Sequence, residues 1–357
     1  MSQEGLPVHK ITINDADMQQ LLNDVWSNEF APVKLELGGK QYEARLRIRG
    51  GHTRNYQKKS YEIHYGQGQI LHWNAEFDDP SMIRNALSFH FFNKIQVPAP
   101  RTRHIWLEWN GQPHGVYLEI ESVDRKFFLR RGIGSRSLIY AVNDNANFSL
   151  IDEDTEQRKV SLFSGYRLMR GNNYTRLRLV RFIRGINRPP KWPLRVYLAR
   201  RLDVRNYLKW LAGAVLTGNY DGFEQNYALY EHRASGKYRI IPWDYEGTWG
   251  RNCYGKVCSS GLVSIRGYNT LTSKVLAYRA CRILYRNLLR RLLAGKFTWT
   301  AIKPAVTAMY AKLTPAIQDD FTRKWPFETF QQEPELIRNY IKERRAIIRA
   351  ELRTWTE

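Results

Sequence analysis

The chain has 357 residues, 43% of them hydrophobic and 13% aromatic, which excludes an intrinsically disordered protein and provides apolar mass for one large domain or two lobes. Its 56 basic and 34 acidic residues give a formal charge of +22, a field that favours a polyanion without saying which. No apolar run approaches the roughly 18 residues of a membrane-spanning helix. The first ten residues lack an apolar signal core, and three cysteines imply no disulfide framework, so the expectation is a chain made and used in a cytoplasm.

The first periodic segment is 17–26, where Met18, Leu21, Leu22 and Val25 recur at helical spacing behind Asp15 or Asp17 as a cap. Strict alternation over 33–37 and 42–48, interrupted by Gly38-Gly39, predicts a β-hairpin; 61–65 alternates again. Residues 81–94 predict a helix with Met82, Ala86, Phe89 and Asn93 on one face, closed by Pro98 and Pro100. Strands 104–109 and 115–120 follow, joined by Asn110-Gly111, the turn dipeptide that hairpins favour.

After Glu121 the pattern becomes mainly helical, over 194–202, 204–216, 276–293, 299–313 and 333–355. A short hairpin of 226–231 and 238–242 lies among these helices. The fold expected is α+β and bilobal: a small β-rich N-terminal lobe, 1–120, and a larger, mainly helical C-terminal lobe, 121–357. Clefts between lobes are concave and can close, so a nucleotide is expected there. Between Glu156 and Asp203 there is no acidic residue but a long series of cations, from Arg158 to Arg201 and including Lys191. That stretch reads as a solvated basic face or as a docking surface for an anionic partner.

The segment 217–227, Thr-Gly-Asn-Tyr-Asp-Gly-Phe-Glu-Gln-Asn-Tyr, carries the chemistry. It leaves a helix and enters a strand, and Asp221 and Asn226 stand as D-x-x-x-x-N. Protein kinases use that spacing for the aspartate that accepts the substrate hydroxyl proton and the asparagine that binds metal. Asp244 follows the next hairpin, where a second metal-binding aspartate is expected, so Asn226 and Asp244 are the candidate ligands and Asp221 the candidate base. Each also has an ordinary structural explanation as a turn or cap residue. The cations expected to meet ATP phosphates are Lys58 or Lys59, with strand alternation favouring Lys59, and Arg49 and Arg54 nearby. Each is equally explained as a surface cation. Neither a G-x-G-x-x-G loop nor a P-loop motif is present. Cys253 and Cys258 lack a second Cys or His pair and read as ordinary thiols rather than a zinc clip.

These motifs resemble the spore coat protein H (CotH) kinase family, atypical protein kinases of spore-forming bacteria. The resemblance runs through Arg49-Gly50, Lys58-Lys59-Ser60-Tyr61, Leu71 to Glu76, Arg84 to Ser88, Gly115 to Asp124, Tyr140-Ala141-Val142, Ala146 to Leu150, Tyr207 to Tyr230, Ile241 to Gly250 and Gly267 to Leu271. It implies a protein-kinase-like fold, use of ATP with Mg2+ or Mn2+, and phosphorylation of serine-rich spore coat proteins, in the mother-cell cytoplasm and then the coat. It implies an essential aspartate at Asp221 and a metal-binding one at Asp244, with Glu119 and Glu121 in the stretch lining the adenine. The sequence departs from ordinary kinases in having Asp244-Tyr245-Glu246 in place of D-F-G, and the 81–94 helix contains no glutamate to pair with the lysine. Competing readings are a non-catalytic nucleotide-binding coat scaffold, AMP transfer by the same fold, and a nucleic-acid-binding protein, for which no recognition motif is present.

Overall fold

A computed structural model describes residues 2–3, 5–188 and 193–355. The chain is of the α+β class and divides into two compact units. The first comprises Met1–Leu87, Pro100–Val123 and Lys303–Pro334; the second comprises Ser88–Ala99, Asp124–Ile302 and Glu335–Glu357. The division is therefore not one cut near residue 120: the chain leaves the first unit and returns to it after residue 302.

The first unit is built on β1 (Ser2–Gln3), β2 (Leu6–Thr12), α1 (Asp15–Asn23), β3 (Ala31–Leu37), β4 (Lys40–Arg49), β5 (Ser60–Tyr65) and β6 (Gln69–Asn74). It contains the start of α2 (Arg84–Lys94), then β7 (Thr102–Trp109) and β8 (Gln112–Glu121). The strands follow the order β1-β2-β3-β4-β5-β6-β8-β7, and a parallel pairing of β2 with β7, Val8 opposite Trp106, closes seven of them into a barrel. Closure leaves those strands no open edge. Alternation fills the interior with Leu35, Leu46, Ile63, Trp73, Ile105, Leu107 and Tyr117, all fully buried. The two hairpin turns form as their sequences predict: Gly38, Gly39, Asn110 and Gly111 all have positive φ.

The second unit places α3 (Arg125–Arg130), β9 (Leu138–Ala141), β10 (Tyr166–Arg170), α4 (Asn173–Asn187), α5 (Leu194–Arg201) and α6 (Val204–Thr217) before β11 (Tyr227–Glu231) and β12 (Tyr238–Pro242). These four strands form a second sheet in the order β10-β9-β11-β12. Then come α7 (Thr270–Leu276), α8 (Arg279–Ala294), α9 (Trp299–Asp319) and α10 (Phe327–Thr354). Helices α9 and α10 are shared between the units by the bounds above. The basic stretch forms β10, α4 and α5, with Arg181, Arg184 and Arg188 exposed along α4; Lys191 lies outside the described residues.

Candidate active site

Helix α6 buries an apolar stripe of Leu208, Leu211 and Val215 and ends at Gly218, whose left-handed backbone (φ 76°) lets its N–H reach Ala214 O. The chain then makes a single 3-10 turn over Asp221–Phe223, with Gly222 and Phe223 buried beneath it. Strand β11 starts one residue after Asn226, and its register sets Tyr227 opposite Pro242. Asn226 and Trp243 therefore face each other at one end of the hairpin, joined by Trp243 N–H to Asn226 O at 3.0 Å, and Asp244 is the next residue.

Asn226 (φ 59°) and Asp244 (φ 57°) are both left-handed. A non-glycine residue in that region costs on the order of 1 kcal/mol, a cost tolerated where the side chain must point in one direction. The buried amide of Asn219 ties the aspartate turn to this end: Oδ1 accepts from Gly222 N–H at 3.0 Å, and Nδ2 donates to Asp244 O at 3.4 Å. A Cβ at position 222 would stand 2.9 Å from Asn219 Nδ2, so only glycine admits this bridge. Asp221, Asn226 and Asp244 thus belong to one local structure within the second unit.

Its electrostatics are acidic. Burial first, then the charges of Asp221, Glu153 and Asp154, pushes the Asp144 carboxyl above the usual range. Glu224 is raised by burial and by Glu153, Asp144 and Asp221, with Lys159 opposing. Lys159 is held by Asn145 O at 2.5 Å and Asn147 Oδ1 at 2.8 Å, and Gln225 donates to Asp144 at 2.8 Å. Burial and then the adjacent Asp221 push the Cys253 thiol up to about 12, so it is a neutral neighbour of the candidate base.

Among the described residues no three His, Cys, Asp or Glu side chains are gathered so as to hold a metal unaided. The donor set at the hairpin end is one carboxylate, Asp244, and one amide oxygen, Asn226. That fits Mg2+, which commonly takes one or two protein carboxylates and fills its remaining positions with phosphate oxygens and water. The crowding that raises Asp144 and Glu224 is the kind a nearby cation relieves.

The residues expected to meet ATP from the first unit are engaged there. Strand β5 begins only at Ser60, so alternation does not extend back to the lysines. Lys58 points inward, fully buried, with Nζ 3.0 Å from Asp320 Oδ2 and 2.9 Å from Val116 O. Lys59 Nζ donates to Arg54 O and Tyr56 O, both at 2.9 Å. Arg54 is itself buried and binds the carbonyls of Gly50, Val25 and Ser27, and Arg49 donates to Asn74. Glu119 accepts from Arg103 at 2.7 Å and from Trp73 at 3.3 Å, and Glu121 accepts from Arg101 N–H at 3.0 Å. Sequence reasoning did not find Asn219, Asp144, Glu153, Lys159 or Cys253 at the site. The one available signal was Asn219, two residues before Asp221.

An α+β chain with a carboxylate-rich hairpin end suited to a divalent cation is the class these features define. The chain belongs to the CotH kinase protein family, whose family model matches residues 46–348. It is 37% identical over 349 residues to the inner spore coat protein H of Bacillus subtilis (strain 168), covering 96% of each chain. The inner spore coat protein H-like protein of the same organism is 28% identical over 302 residues, covering 83% of this chain and 86% of the relative. Among solved structures, the Helicobacter pylori proinflammatory kinase CtkA aligns with a TM-score of 0.37 and 10% identity over 80% of this chain and 90% of that one. Among the described residues no helix is long and apolar enough to cross a membrane.

Proposed function

We propose that this protein is an ATP-dependent protein serine kinase that phosphorylates spore coat proteins as the coat assembles. The observation that carries the reading is the hairpin end: Asn226 and Asp244 both held left-handed, with the Asp221 turn fastened to Asp244 through Asn219. The relationship to inner spore coat protein H supports the place of action. Asn226 Oδ1 and the Asp244 carboxylate would hold a Mg2+ or Mn2+ ion, which when bound neutralises charge on the ATP phosphates. Asp221 accepts the proton of a serine hydroxyl as its oxygen attacks the γ-phosphorus and ADP leaves. Asn219 fixes the turn so that the carboxylate is already aimed, and alignment is most of what such a transfer requires. The surrounding carboxylates of Asp144, Glu153 and Glu224 give the site a negative field within a strongly basic protein, which favours acceptors with cationic flanks.

The test is incorporation of labelled phosphate from ATP into a serine-containing coat protein by wild type, Asp221→Ala and Asp244→Ala. We expect each variant to lose at least about a thousandfold in rate. Equal incorporation by all three would refute the proposal. A mass increment of AMP instead of phosphate on the product would assign the alternative transfer.

A further inference from the structure

Next to the aspartate turn lies an open pocket of about 490 Å3, wholly within the second unit. Its lining includes Arg266, Tyr268, Asn269, Ser273 and Arg282, and no carboxylate. It borders the candidate base through shared packing. The Tyr268 ring lies 5.4 Å from Tyr220 and 5.3 Å from Phe223, the residues that bracket Asp221 and Gly222. Asn269 Nδ2 donates to Phe223 O at 2.6 Å.

Both guanidinium groups are positioned. Arg282 Nη1 donates to Leu276 O at 3.0 Å and Ala277 O at 2.7 Å, and Arg266 lies over the Trp355 ring at 5.2 Å. Among the described residues neither has a carboxylate partner. The cationic character continues outward: Arg282 and Arg195 both act on the Cys281 thiol, and Arg195 begins the exposed basic face of α5. Helix α4 adjoins α5, with Tyr197 donating to Arg181 O at 3.0 Å. The pocket's Arg282 and the Arg195 of α5 thus share Cys281 as a neighbour, so the pocket adjoins a basic helix that the transfer chemistry does not use.

We propose that this pocket is a subsite for a phosphate monoester, occupied by a phosphoserine already present in the substrate polypeptide. A phosphoserine carries about −1.5 to −2 charge at neutral pH and three strong acceptors, which the Arg266 guanidinium and the remaining N–H groups of Arg282 match better than they match a serine hydroxyl. An open pocket also accommodates a chain that continues in both directions. The source of the phosphoserine rests on the serine-kinase reading; the binding does not. On that reading a completed transfer draws the same polypeptide back, and phosphorylation proceeds preferentially on chains that already carry it.

The experiment uses the full-length protein without ATP and a fluorescein-labelled peptide carrying one phosphoserine, read by anisotropy against its unphosphorylated twin. We expect the phosphopeptide to bind on the order of tenfold more tightly, and Arg266→Gln to erase that difference. Arg282→Lys, which keeps the charge and loses the fork, should diminish it. Displacement by inorganic phosphate supports recognition of the monoester alone. Failure of inorganic phosphate to compete, with the preference intact, supports recognition of the phosphoserine in its chain. Equal affinity for the two peptides, an unaltered preference in Arg266→Gln, or displacement by a single-stranded oligonucleotide in preference to the phosphopeptide overturns the proposal. Transfer assays separate this result from the kinase reading: a binding preference with no phosphate transfer to any peptide removes the kinase and keeps the subsite, whereas transfer without the preference does the reverse.

Discussion

In the barrel unit Lys58 and Arg84 are buried against carboxylates, whereas the hairpin end of the second unit gathers carboxylates beside carboxylates. In the barrel unit Lys58 meets Asp320, and Arg84, fully buried, meets Asp79 and Glu333, each at 2.6 Å. The Asp320 carboxylate also accepts from Val116 N–H at 2.8 Å, and a Cβ at Gly115 would stand 2.2 Å from its Oδ1. Such sets are closed: every ion has its counter-ion inside the protein. At the hairpin end Asp144, Glu153, Glu224 and Asp221 repel one another with Lys159 as the cation opposing Glu224. The first kind of charge is neutralised by the fold; the second is the kind that, on the kinase reading, a bound cation would neutralise.

The largest effect should come from opening a closed set. Arg84→Met leaves two buried carboxylates unpaired and should cost about 3–5 kcal/mol in denaturant unfolding. A loss below about 1 kcal/mol would mean that water or rearrangement already compensates them and that the sets are not closed. Next, the hairpin end should respond to the ion it lacks among its own side chains. Titrating Mg2+ into the protein should raise its stability by about 2.7 kcal/mol at a hundredfold excess over Kd, and Asp244→Ala should abolish the gain.

A smaller effect concerns protons. Burial holds His104 down to about 4, and its ring nitrogen lies 2.8 Å from Met82 O. Because the folded value is depressed, the unfolded chain binds the proton first as pH falls below about 6.5. Stability is therefore full above that pH and declines toward pH 4, by at most about 1.4 kcal/mol per pH unit for this group. His104→Gln should flatten the decline measured by thermal unfolding between those limits; an identical slope would remove His104 from the account. The smallest effect tests strain. Asn226→Gly should stabilise by about 0.5–1 kcal/mol while phosphate transfer falls, because glycine accepts the left-handed backbone freely. A destabilised variant would mean that the Asn226 side chain is already held by the fold.

Local chemistry made much of this legible in the sequence. Alternation and Gly38-Gly39 placed the β3–β4 hairpin, Asn110-Gly111 placed the β7–β8 turn, and Gly218 marked the end of α6 within a residue. The D-x-x-x-x-N spacing and the following hairpin put Asp221, Asn226 and Asp244 in one neighbourhood, because a hairpin's register carries its two ends together. What escaped depended on distant pairing. Strand β2 lies between β3 and a parallel β7 about a hundred residues on, and no local period announces that second pairing. The helix expected over 276–293 is α8, which begins three residues later at Arg279, and the short helix α7 before it was not expected. Lys59 was favoured by extending the β5 alternation beyond its start at Ser60, and the partner of Lys58, Asp320, stands 262 positions away.

That last separation bears on how the molecule is made. A ribosome delivers Asp320 262 residues after Lys58, so a nascent chain that has reached only Val123 holds all eight strands of the barrel unit but not the carboxylate that meets the ammonium. Sequestering that cation alone would be costly, so this corner is sealed only once the segment that follows α9 has emerged. The unit that holds those eight strands is thus completed only after residue 302, when most of the second unit has already been made.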